Sequence, residues 1–115
     1  MFSKISKIEY HLPSKISTRD ELSTDNPDWR MDDIEEKTGV IKRHICEDDQ
    51  TSIDLAVSAC NKLFDSGVNK KDIELLIVVT ESPEYILPPS SCILQDKIGL
   101  STSVASFDIN LGCSG

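Results

Sequence analysis

Between Ser52 and Ser66 apolar side chains recur at Ile53, Ala56, Val57, Cys60, Leu63 and Phe64, the spacing of one helical face. Thr51 or Ser52 can cap the start, and Gly67 is suited to end it. The pattern predicts a helix over 52–66, with Cys60 inside the stripe as a small packing residue. After a short polar turn, Ile73 to Thr80 is nearly continuous apolar chain, as expected of a strand covered on both faces by helices. Glu81 to Pro89 contains three prolines and reads as a loop. Ser90 or Ser91 is then expected to cap a second helix reaching Ile98, with Cys92, Ile93 and Ile98 facing inward and Gly99 closing it. Val104 to Asn110 reads as a further strand.

The first half of the chain is less regular. Lys7 to Leu12 alternates, placing Ile8, Tyr10 and Leu12 on one face, and Pro13 follows; this predicts a strand entering a loop. Ser17 to Asn26 is polar, with a short helix expected around Asp20 to Leu22. Met31 to Lys37 is expected to be helical and to stop at Thr38-Gly39, where glycine can adopt the left-handed conformation. Val40 to Ile45 reads as extended chain. Strand, helix, strand, helix, strand is the alternation that implies an α/β fold with parallel strands.

Charge narrows the function classes. The 115 residues carry a formal net charge of −8, which argues against binding nucleic acid or an anionic membrane, since both demand clustered cations. The one basic cluster is Lys42-Arg43-His44, with Lys37 just before it. No apolar run approaches the roughly 20 residues that span a bilayer. Met1-Phe2-Ser3-Lys4 lacks the apolar block of a secretory signal, so a cytoplasmic location is expected. There is neither a GxGxxG nor a P-loop to support a nucleotide cofactor.

Cysteines stand at 46, 60, 92 and 113. None forms a CxxC pair and no histidine lies at zinc-ligand spacing from any of them, so no metal is expected. Cys113 is set apart by its place just past the end of the last expected strand. In open α/β sheets, ligands and chemistry collect at the carboxyl ends of strands. Gly112, Ser114 and Gly115 around it permit a sharp turn, and a helix beginning there would stabilise a thiolate with its free N–H groups. The same residues are compatible with a packing cysteine in a small-residue turn.

Several segments together resemble the 3-oxoacyl-[acyl-carrier-protein] synthase III family of the thiolase-like superfamily. Tyr10-His11-Leu12-Pro13 is similar to an early strand of the family ending in Leu-Pro. Ile34-Glu35-Glu36-Lys37-Thr38-Gly39-Val40, followed by Lys42-Arg43-His44, resembles its I-x-x-[RK]-T-G-I-x-x-R motif. Asp54-Leu55-Ala56, Leu75 to Thr80, Leu87-Pro88, Cys92 to Gln95 and Ile98-Gly99 follow in the family's order. Phe107 to Gly115, FDINLGCSG, falls where the family has its nucleophile. The resemblance is collinear over essentially the whole chain.

The resemblance implies the N-terminal part of a thiolase-like α/β fold, a mixed, mostly parallel sheet with helices. It implies an acyltransferase in which Cys113 attacks an acyl-CoA and forms an acyl-enzyme, with its own N–H as an oxyanion donor. Malonyl-acyl carrier protein then loses CO2, and its carbanion attacks the acyl-cysteine, initiating fatty acid synthesis. Acyl-CoA and acyl carrier protein would be partners and substrates, with no resident cofactor, in a cytoplasmic homodimer. Lys37 matches a basic residue near the CoA nucleotide end, and Leu87 a position that lines the partner subunit's acyl pocket. Trp29 stands four residues upstream of Asp33, which occupies the place of the family's adenine-stacking tryptophan. His11 and His44 match no catalytic position and read as structural or solvent-facing.

In this family a second half supplies a His and an Asn, and neither has a counterpart here. Residues 1–115 are therefore expected to be a fragment truncated after the nucleophile, inactive alone and prone to self-association through an exposed strand. Alternative readings are a related condensing enzyme, such as one like hydroxymethylglutaryl-CoA synthase or a secondary-metabolite ketoacyl synthase, and a noncatalytic assembly domain.

Overall fold

The computed structural model describes residues 2–111 and 113. The chain divides into two units, residues 12–50 and residues 1–11 with 51–115.

In the smaller unit, strand β1 (Lys15–Thr18) pairs antiparallel with β2 (Lys42–Ile45), Lys15 opposite Ile45 and Thr18 opposite Lys42. Helix α1 (Arg19–Asp25) follows β1 without a loop. Thr18 makes this possible: its hydroxyl accepts from the Glu21 N–H, and the Glu21 carboxylate accepts from the Thr18 N–H at 2.8 Å. Helix α2 (Met31–Thr38) buries Met31 and ends at Gly39, whose φ of 69° is open to glycine at little cost. Arg19 bridges toward α2, pairing with Asp32 and, at 3.1 Å, with Glu35.

In the larger unit, helix α3 (Ser52–Asp65) is followed by a 3-10 turn at Lys70–Asp72, strand β3 (Leu75–Val79), helix α4 (Ser90–Lys97) and strand β4 (Ala105–Ile109). β3 and β4 are parallel, Leu75 opposite Ala105 and Val79 opposite Ile109. The core is Ile53 of α3, Leu94 of α4, and Ile98, Leu100 and Val104 beyond it. Ala56, Val57, Cys60 and Phe64 of α3 and Leu76 and Val78 of β3 pack against it. The 3.6-residue stripe read from α3 is thus its core face, and Cys60 sits in it half-buried. Lys70 ties the end of α4 down, donating to the Ile98 carbonyl at 2.6 Å with its ammonium 4.8 Å from the Phe64 ring centroid.

Four expectations need correction. Lys7–Leu12 forms no regular element and has no strand partner among the described residues; alternation selects a face, whereas a strand also requires a neighbour for its hydrogen bonds. The strand in this part of the chain is β1, where Ile16 is the one large apolar residue and no periodicity shows. β3 is not covered on both faces: Leu75, Ile77 and Val79 are 49%, 43% and 56% exposed, while Leu76 and Val78 face the helices. Cys92 points outward rather than into the core, which takes Leu94 and Ile98 from α4 and its end.

The fourth concerns the start of α4. Its N-cap is Pro89, not Ser90 or Ser91, and Pro89 makes no side-chain cap bond. Both serines lie inside the helix, 1% and 0% exposed. What satisfies their amides belongs to the site described next.

Candidate functional site

Two parallel strands necessarily send their following segments out from the same end of the sheet. At that end the Thr80 N–H donates to the Ile109 carbonyl at 3.1 Å, extending the ladder past Val79. From β3 emerges the loop 81–89 with Leu87, and from β4 the segment carrying Cys113. All four cysteines are free thiols; Cys113 and Cys92 are exposed, and Cys46 and Cys60 are partly buried. Burial pushes the Cys60 thiol up, which disfavours its thiolate. Gly112, Ser114 and Gly115, and with them the expected turn and helix start, lie outside the described residues.

Leu87 is 78% exposed and follows the exposed Tyr85 and Ile86, so the loop presents a run of apolar side chains. Its far end is held by a residue from the other strand. Asp108 of β4 accepts from the Ser90 N–H at 2.8 Å through Oδ2 and from the Ser91 N–H at 2.7 Å through Oδ1. These are orphan amides of a helix first turn, and a carboxylate there also meets the positive end of the helix dipole. Burial works to raise the Asp108 pKa, while the Ser91 and Ser90 donors lower it and prevail. The bonds that meet hydrogen-bond geometry are the two amide ones; the buried Ser90 and Ser91 hydroxyls have no partner among the described residues.

Sequence reading passed over Asp108. The signal was present in two pieces: a carboxylate inside an apolar strand, and a helix whose capping position is proline. A proline has no side-chain acceptor, so the acceptor had to come from elsewhere.

In the smaller unit, Lys37 is exposed in the last turn of α2. The neighbouring Thr38 lines a cleft of about 400 Å3 with Leu22, Trp29, Met31 and Ile34, and Arg43 stands at it too. Trp29 is half-exposed there, so its ring both lines the cleft and meets solvent. His44 donates from Nδ1 to the Pro13 carbonyl at 2.6 Å, the structural role expected of it. Lys37 and Cys113 belong to different units. Among the described residues no group of three or more His, Cys, Asp or Glu could hold a metal ion, and no helix is long and apolar enough to cross a membrane.

No protein-family model matches the chain. The β-ketoacyl-[acyl-carrier-protein] synthase III of Xanthomonas campestris pv. campestris (strain 8004) is 38% identical over 119 residues, taking in 100% of this chain and 35% of the relative. The enzyme of the same name from Ehrlichia canis (strain Jake) is 38% identical, over 98% of this chain and 35% of the relative. A crystal structure of a 3-oxoacyl-(acyl-carrier-protein) synthase III superposes with a TM-score of 0.86 at 41% identity, covering 96% of this chain and 33% of that one. The chain spans about a third of the length of the curated relatives it matches. The thiolase-like α/β architecture and the order of motifs ending at Cys113 agree with these likenesses: in sequence and fold the chain is similar to about a third of the length of β-ketoacyl-[acyl-carrier-protein] synthase III enzymes.

Proposed function

We propose that this chain supplies the nucleophile-bearing part of a synthase that condenses an acyl-CoA with malonyl-acyl carrier protein, the first condensation of fatty acid synthesis. The observation that carries the reading is the placement of an exposed cysteine thiol past the carboxyl end of β4, at the sheet end from which the apolar Leu87 loop also leaves. The Cys113 thiolate attacks the thioester carbonyl, the CoA thiolate departs, and an acyl-cysteine remains. Malonyl-acyl carrier protein then loses CO2, and the resulting carbanion displaces Cys113 from the acyl group to give the 3-oxoacyl thioester on the carrier.

Leu87 contributes apolar surface to the acyl pocket of the partner subunit, a role supported by its exposure in a run of apolar residues. Lys37 serves the phosphate-rich end of CoA, supported by its exposure beside a cleft lined by Trp29 and Thr38. The chain spans about a third of the length of its curated relatives, and in this reading the condensation is carried out by a cytoplasmic homodimer of the whole synthase. The open apolar face of β3 is in keeping with a segment that works inside a larger assembly.

The test is site-resolved acylation. Incubated with an acyl-CoA and mapped by mass spectrometry, the chain should carry the acyl group on Cys113 in preference to Cys92, which is also exposed. Cys113→Ala should remove that adduct. Acylation of Cys92 at the same rate as Cys113 would overturn the assignment.

A further inference from the structure

Asp108 does something that a helix cap alone does not require. α1 and α3 are capped by the residue that precedes them, Thr18 and Thr51, each in a reciprocal box with the third helical residue. α4 has Pro89 at that position and takes its acceptor from 17 and 18 residues further along the chain. The carboxylate comes from the strand that leads to Cys113, five positions before it, and the next residue, Ile109, is fixed by the Thr80 N–H.

The other partner is equally well placed. Leu87 is joined to Ser90 through Pro88 and Pro89. Each proline locks its own φ near −65°, and each restricts the residue before it, so Leu87 is close to a rigid extension of the first turn of α4. Fixing the Ser90 and Ser91 amides therefore fixes Leu87. Both serine side chains are fully buried, which leaves that first turn little room to shift.

We propose that Asp108 is a positioning residue that holds the Leu87 loop in a fixed place on its own subunit's sheet, so that the acyl-chain selectivity of the pocket Leu87 lines in the partner subunit depends on it. The inference rests on the reading of Cys113 and Leu87 as nucleophile and acyl-pocket residue. Asp108 touches neither the thiol nor the substrate; it acts through the two serine amides and the proline pair.

The decisive variant is Asp108→Asn, which keeps the shape but turns one acceptor oxygen into a donor facing a backbone N–H. Ile53→Val serves as the control, a core change that lowers stability without touching the clamp. In Asp108→Asn amide exchange at Ser90 and Ser91 should rise by roughly tenfold over the control, compared at equal margin below its melting temperature, and the NMR backbone order parameters of residues 84–87 should fall with it. A rise at the serines with residues 84–87 unchanged would reduce Asp108 to a helix cap and overturn the proposal.

The second arm is selectivity. With short- and long-chain acyl-CoA supplied as a mixture, the ratio of the two adducts on Cys113 should shift by about threefold or more in Asp108→Asn. Leu87→Ala should shift the ratio too, and adding Asp108→Asn to it should bring no further change. An unchanged ratio in Asp108→Asn overturns the proposal even if the protein melts earlier. If wild-type Cys113 takes neither acyl group, the acyl-transfer reading fails, and the exchange and order-parameter measurements alone decide whether Asp108 holds the loop.

Discussion

α3 begins at Thr51, whose hydroxyl accepts from the Asp54 N–H at 3.3 Å while the Asp54 carboxylate accepts from the Thr51 N–H at 3.0 Å. α4 begins at Pro89, with its two free amides held by Asp108 from β4. The first arrangement is complete within four residues, so it stabilises α3 wherever α3 lies. The second closes only when β4 is already in place beside β3. A local cap stabilises a helix, whereas a cap borrowed from another strand also fixes where that helix stands. α4 is the helix that adjoins the Leu87 loop, and there the position matters.

The comparison is sharpest against changes that ignore it. Ile53 of α3 and Leu94 of α4 are 1% and 3% exposed in one shared core, so truncating either to alanine should cost about 2–5 kcal/mol. Urea titrations should show similar losses for the two, since the core does not distinguish the helices. The caps should. Asp108→Ala strips two charge-assisted bonds from buried amides and should cost about 2–3 kcal/mol. Thr51→Ala removes the acceptor of the Asp54 N–H and the hydroxyl that donates to the Asp54 carboxylate at 2.8 Å, both in a partly exposed turn, and should cost about 1 kcal/mol. Equal losses for these two variants would mean that the remote cap is no more than a substitute for a local one.

How much of this could be read from the sequence follows the same division. The stripe of α3, the apolar run of β3 and the glycine that ends α2 are local patterns, and each lies within a residue or two of where it was expected. The φ of 69° at Gly39 is the left-handed stop that Thr38-Gly39 implied. Cys113 could be singled out as a candidate because a strand, small residues and a thiol are adjacent in the chain. Features that depend on a distant partner were not legible. Lys7–Leu12 has the alternation of a strand but no neighbour among the described residues, while Lys15–Thr18 has no alternation and pairs with β2. The Thr18–Glu21 capping box, spaced as such boxes are, was a local signal that went unread. Asp108 looks in sequence like a misplaced charge, and its role appears only once Ser90 and Ser91 lie beside it.

The smallest effect expected is a pH dependence that separates the two caps again. Asp54 bonds to Lys97 at 2.8 Å and accepts from Thr51 as well; these interactions, Lys97 first, lower its pKa from 3.8 to about 2. Because the folded value lies below the unfolded one, the unfolded chain takes up the proton first as the pH falls. The stabilisation is therefore complete above about pH 4 and is lost between there and pH 2. Asp108, also lowered, adds to the same acid slope. Lys97→Met should return Asp54 toward its ordinary value and flatten part of that slope, with little change at neutral pH, because the pair is exposed. Asp108→Asn should flatten the remainder and also lower the melting temperature at neutral pH, since its two amides stay buried at every pH. Melting curves of the two variants from pH 7 down to pH 2 would check this. A Lys97→Met protein with an unaltered acid slope would place the whole effect on Asp108, and the cap borrowed from β4 would then be the only one of the two that depends on charge.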